Sequence, residues 1–155
     1  MIEKTEISQH NEFYLIGISI RTSNQNGQSG ADIGALWTGF INDDLIHQIP
    51  GKLSEDIYCV YTDYESDHNG FYTAVLGCKV NSLDNIPGGF NGIIIPGGKY
   101  QACYLSGKFP KKIIEAWQEI WQSNIERSYI ADYDLYIADS KSPEETDVQI
   151  YLSVR

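Results

Sequence analysis

The sequence predicts an α+β domain in which two β-α-β-β units join edge to edge into one curved antiparallel sheet, with both helices on one side and a central ligand cleft on the other. Three observations carry this prediction. Strand-like segments alternate apolar and polar residues with a period of two, most cleanly in Val148-Gln149-Ile150-Tyr151-Leu152-Ser153-Val154. Two other segments carry apolar residues at helical spacing, Ile33, Leu36, Trp37, Phe40 and Ile41 in one and Ile113, Trp117, Ile120 and Trp121 in the other. The order of elements also repeats at a separation of roughly 75–90 residues. The strand at Tyr14 answers that at Tyr100, Trp37 answers Trp117, and Tyr58 answers Asp134.

Along the chain, Phe13-Tyr14-Leu15-Ile16-Gly17-Ile18-Ser19-Ile20 reads as the first strand, preceded by a polar opening. A turn-rich stretch over 22–30 follows, with Ser29 placed to cap a helix from Ala31 towards Ile49-Pro50. The segment 27–34 is glycine-rich and reads as a flexible loop that can serve as a lid. Segments 57–63 and 71–80 form a hairpin whose connection contains Asn69-Gly70, a step that favours reversal. In the second half, 93–95 and 100–105 read as one strand interrupted by Pro96-Gly97-Gly98. Pro110 then opens a helix, and 133–138 and 148–154 close the unit. The whole chain, 1–155, reads as one domain with halves at about 1–85 and 86–155.

Composition narrows the function. Twenty-one acidic residues against eleven Lys plus Arg give a formal charge of −10, which repels phosphate backbones and argues against direct nucleic-acid binding. No apolar run is long enough for a signal peptide or membrane span, so a cytoplasmic location is expected. Cys59, Cys78 and Cys103 lack paired spacing and read as buried small hydrophobes. His10, His47 and His68 are scattered and read as surface residues, and no metal or cofactor is expected. Gly88-Gly89 and Gly97-Gly98 follow neither the P-loop nor the dinucleotide pattern and read as bends.

The site hypothesis begins at Tyr133-Asp134-Leu135-Tyr136-Ile137. Strand alternation sets Leu135 and Ile137 on one face and Asp134 beside Tyr136 on the other. An acid among aromatic rings suits a cation. If the last two strands pair, Asp134, Tyr136 and Tyr151 share the ligand surface while the aliphatic sides pack on helices. Tyr58, Tyr72, Tyr100 and Trp37 are further wall candidates, whereas Trp117 and Trp121 read as core and Asp132 and Asp139 as exposed. The ordinary alternative for Asp134 is a solvated acid on an edge strand.

Ile94-Ile95-Pro96-Gly97-Gly98-Lys99-Tyr100, followed by Ala116-Trp117-Gln118-Glu119-Ile120-Trp121, resembles the GyrI-like effector-binding family, the ligand domain of AraC-type and MerR-type multidrug regulators. Segment 58–80 is similar to that family's central hairpin, Tyr133-Asp134-Leu135-Tyr136 to its Phe-Glu-x-Tyr strand, and Gln149-Ile150-Tyr151-Leu152 to its closing strand. The likeness spans almost the whole chain and is strongest to stand-alone integron cassette proteins that bind cationic drugs. It implies a central pocket in which a buried acid, at the position of Asp134, meets lipophilic cations. Asp for the family's usual Glu sets the carboxylate ~1.5 Å further back, and Leu152-Ser153-Val154 stands where the family commonly has Ile-Pro-Ile.

Since the predicted fold starts within about a dozen residues of Met1, a stand-alone effector module is expected, one that takes part in transcription regulation only with a separate DNA-binding partner. Sequestration of a drug is the other role expected of a binding module, as a monomer or as a homodimer through an exposed strand edge. Hydrolysis of electrophilic small molecules and inhibition of a target protein are the alternatives that the resemblance implies. No Ser-His-Asp or Cys-His pattern supports the first of these.

Overall fold

The computed structural model describes residues 2–138 and 145–155. Ten main elements follow one another: β1 (Ile2–His10), β2 (Phe13–Ser23), α1 (Gln28–Asn42), β3 (Ile57–Thr62), β4 (Phe71–Val80), β5 (Asn91–Ile95), β6 (Gly98–Leu105), α2 (Lys111–Trp121), β7 (Ala131–Tyr136) and β8 (Val148–Ser153). The strands form one eight-stranded sheet in the order β1-β6-β8-β7-β3-β4-β2-β5, antiparallel at each pairing. The two units meet at its centre, where β3 pairs with β7 from Ile57↔Tyr136 to Thr62↔Ala131.

The outer strands are exchanged between the units. β5 precedes the second unit but pairs with β2 of the first, whereas β1 precedes the first unit but pairs with β6 of the second. The segment expected as one interrupted strand is therefore two strands on opposite flanks. Pro96 has no N–H with which to continue a ladder. At Gly97 a Cβ would lie 2.9 Å from the Glu12 nitrogen and 3.1 Å from the His10 carbonyl oxygen, so the two links between units cross here with room only for glycine. β1, read from sequence only as a polar opening, is an edge strand exposed along nearly its whole length. Water on both faces removes the alternation that would have marked it.

The helices pack on one side of the sheet, as expected. α1 begins at Gln28 with Gly27 (φ +71°) at its N-cap position, so Ser29 lies inside its first turn and segment 28–34 is helix rather than loop. Its core stripe includes Ile33, Leu36, Trp37 and buried Phe40, and it packs with Ile16, Cys59, Leu76, Cys78 and Val80. α2 buries Ile113, Ala116 and Ile120 against Cys103, Val148, Ile150 and Leu152. All three cysteines are buried and free. The opposite side of the sheet carries its own core, with Leu15, Tyr58, Val60, Val75, Ile95, Tyr100, Ala131 and Tyr133. At the crossing of β2 and β4, Gly17 pairs with Gly77, and a Cβ on either would fall 2.1–2.2 Å from the other strand's carbonyl oxygen. Only glycine permits that approach.

Candidate functional site

On β7 the alternation anticipated from sequence holds. Leu135 and Tyr133 face the core opposite the helices, and Asp134 and Tyr136 face the helix side. Two expectations about that face change. The cleft lies on the same side of the sheet as the helices, between them, because α1 packs over β2 and β4 while α2 packs over β6 and β8, leaving a space above β7 and β3 at the centre. Tyr151 is not beside Asp134, because directly paired residues of antiparallel strands share a face. The register pairs Asp134 with Ile150 and Tyr133 with Tyr151. Tyr151 accordingly stacks on Tyr133, with ring centroids 4.8 Å apart, on the far side of the sheet.

A cavity of about 540 Å³ occupies the space between the helices. Asp134 lies on its floor, 1% exposed. Tyr61 donates its hydroxyl to Asp134 Oδ2 at 2.5 Å, and Trp117 Nε1 donates to Oδ1 at 2.9 Å. Tyr136, two residues on, faces the same side of β7, and its hydroxyl favours the charged form of the carboxylate. These partners are all neutral. Burial pushes the carboxyl up to about 7, against the hydrogen bonds of Tyr61 and Trp117, with the charge of Asp132 adding to the rise. Burial, reinforced by Asp134, also holds the Tyr61 hydroxyl well above its ordinary range, so it stays a donor.

Aromatic rings build the walls. Tyr136 is met edge-on by Trp37 of α1 at 4.9 Å and by Phe109, ahead of α2, at 5.9 Å. Tyr61 stands edge-on to Trp117 at 5.4 Å and to Tyr72 at 5.8 Å. At the far end, Tyr64 lies against Tyr72, whose hydroxyl donates to Asn24 Oδ1 at 2.7 Å. His68 stacks on Trp121 at 6.3 Å. The rim contains Ile41, Ile114 and Trp121, which are 65%, 57% and 38% exposed.

A buried ion pair closes this end. Asp132, expected at the surface, is fully buried and accepts hydrogen bonds from Arg127 Nη2 at 2.7 Å, the Tyr64 hydroxyl at 2.5 Å and the Ser153 backbone N–H at 2.9 Å. The Arg127 guanidinium lies over the rings of Tyr129 at 4.4 Å and Trp117 at 5.6 Å. With Arg127 committed to Asp132, no cationic side chain among the described residues pairs with Asp134. Asp139 lies outside the described residues.

Of the residues singled out from sequence, the structure brings Asp134, Tyr136, Trp37 and Tyr72 together around the cavity. It places Tyr58, Tyr100 and Tyr151 elsewhere, in or against the opposite core, where the Tyr100 hydroxyl donates to the Pro96 carbonyl at 2.6 Å. In β3 the register sets Cys59 opposite Asp134 and Tyr58 opposite Leu135, so Tyr61, two residues from Cys59, is the tyrosine that reaches the acid. Sequence reasoning missed Tyr61 and Tyr64, assigned Trp117 and Trp121 to the core, and left His68 on the surface. The signal for Tyr61 was its parity with Cys59 and Ile57, readable only once the register with β7 was known.

Four matches among known proteins bear on this arrangement. The family described as integron-associated effector binding protein, Cass2, matches residues 6–154. YobU of Bacillus subtilis (strain 168), named as a candidate transcriptional regulator protein, is 29% identical over 145 residues, covering 90% of each chain. The Vibrio cholerae integron cassette protein VCH_CASS2 is 26% identical, with a TM-score of 0.78 over 99% of this chain and 97% of its own. SAV2435, solved bound to tetraphenylphosphonium, shares the fold at 16% identity, with a TM-score of 0.78 over 99% of this chain and 94% of its own.

Proposed function

The chain belongs to the integron-associated effector binding protein family, and we propose that its cavity binds lipophilic aromatic cations, with Asp134 supplying the charge and the rings of Trp37, Tyr61, Tyr72, Trp117 and Tyr136 the walls. The observation that carries this reading is a buried carboxyl, on the floor of an aromatic cavity, whose partners are all neutral. Such a group is costly to ionise while the cavity is empty. A cation entering the cavity completes the ion pair in a dry setting, and each ring face it meets adds roughly 0.5–2 kcal/mol.

The same geometry supports binding rather than turnover. Tyr61 and Trp117 hold both carboxylate oxygens, so they orient the acid as a fixed counter-charge. The proposed role is that of an effector module, for sensing or for sequestration. SAV2435, which is bound to tetraphenylphosphonium, supplies the probe to try first.

The test is a titration with tetraphenylphosphonium and a rhodamine dye, comparing the wild type with Asp134→Asn. Losing a charge-assisted contact of ~1.5–3 kcal/mol weakens binding by roughly tenfold to a hundredfold. Equal affinity in the two proteins overturns the reading.

A further inference from the structure

We infer that the bare face of α1 at Gly30 and Gly34 sets the upper limit on ligand size, an inference that rests on the cation-binding function proposed above. Gly30, Gly34, Trp37 and Ile41 follow one another at helical spacing, and all four line the cavity. A Cβ built on Gly30 or Gly34 meets no heavy atom within 4 Å, and neither glycine has the positive φ that would demand it. Close packing and backbone conformation therefore do not explain glycine at these two helical positions, where it is a poor helix former.

The cavity explains it. The opposing wall is filled by large side chains of α2, among them Ile113, Trp117 and Trp121. On the α1 side Ile33, Trp37 and Ile41 border the cavity with side chains, but at Gly30 and Gly34 the boundary is helix backbone, and a side chain at either glycine would extend into the space that a ligand occupies. The bare wall admits a cation carrying aryl groups on several sides of its charged centre, whereas a filled wall admits only slim cations. The helix contains its own control. Gly39 is equally free of neighbours within 4 Å but is not among the residues lining the cavity. At about 100° per residue it falls on the side of the helix opposite Gly30 and Gly34.

The experiment measures the affinity of two probes, tetraphenylphosphonium as the bulky cation and benzyltrimethylammonium as the slim one, for the wild type and for Gly34→Ala, Gly34→Leu and Gly39→Leu. Overpacking predicts a loss of roughly tenfold or more for tetraphenylphosphonium in Gly34→Leu and a smaller loss in Gly34→Ala, with benzyltrimethylammonium held within about threefold. Gly39→Leu should change neither. Gly34→Ala improves helix propensity and is expected to raise Tm by roughly 2–4 °C, which keeps a folded variant in the series.

Equal losses for both probes in Gly34→Leu, or no loss for tetraphenylphosphonium, overturn the size limit. So does identical behaviour of Gly34→Leu and Gly39→Leu in a protein whose wild type binds both cations. A wild type that binds neither cation overturns the proposed function itself, and the size limit with it.

Discussion

The two faces of the sheet are both rich in aromatic residues, yet the rings of the far face pack into a core while those of the helix side border a cavity. On the far face, Phe13, Tyr58, Tyr100, Tyr133 and Tyr151 contact one another, with ring centroids 4.8–6.0 Å apart, and help to form a hydrophobic core. On the near face, Tyr61, Tyr72, Trp117 and Tyr136 make contacts of similar length, but they surround about 540 Å³ of space with an acid at its floor. Aromatic content alone therefore does not make a pocket. What differs is the cover: the near face has two helices packed over its flanks, one of them without side chains at Gly30 and Gly34 where it borders the cavity. Strand β7 serves both faces, sending Tyr133 one way and Asp134 the other.

Neighbouring substitutions on that strand give the largest contrast. Tyr133→Ala empties a well-packed core site and should cost about 3–5 kcal/mol of stability in a denaturant titration, with cation affinity unchanged in the folded protein. Asp134→Asn should do the reverse, lowering cation affinity with little loss of stability. If both variants lose binding and stability together, the faces are not independent.

The pH dependence comes next. Asp134 titrates near 7 when folded against 3.8 for an unperturbed carboxyl, so the folded state holds the extra proton between these values. Stability from this group is fully present below about pH 4 and is lost as pH rises through about 7. Cation binding needs the ionised form and runs the other way, strengthening about tenfold per pH unit up to about 7 and levelling above. Calorimetry and probe titration across pH 5–9 should show both slopes in the wild type and neither in Asp134→Asn.

Removing the Tyr61 hydroxyl is a smaller perturbation. Tyr61→Phe takes one donor from the carboxylate, moves its titration further up, and should weaken cation binding at pH 7 by about tenfold. Tyr58→Phe, three residues earlier but on the far face, should leave affinity unchanged. The smallest effect is expected for Tyr151→Phe, which loses one hydrogen bond to Gln149 Oε1 and should change stability by about 1 kcal/mol or less, with no change in binding. A loss of affinity there would return Tyr151 to the ligand surface.

The strands, the two helices and their repeated order were legible because each is written in local periodicity. Strand β1 was not, since an exposed edge has no buried face to mark, and the split of β5 from β6 was not, since it depends on the partners each finds on opposite flanks. Asp134 and Tyr136 could be placed together because they sit two residues apart on one strand. Tyr151 could not, because its face depends on the register between β7 and β8, and a shift of one residue sends every side chain to the opposite side. Trp117 and Trp121 carry the apolar spacing of core residues, and nothing local distinguishes a ring that packs from one that borders a cavity.

By itself, then, the sequence determined which residues share a face within each element, and with that the pairing of an acid with an aromatic neighbour on β7. Tertiary structure alone decided which faces meet. It set Tyr61 and Trp117 on the two oxygens of Asp134, gave Arg127 to Asp132, and left a space between the helices. The physical reason is that periodicity is a property of one chain segment, whereas register, helix cover and unfilled volume arise only when segments distant in sequence pack together.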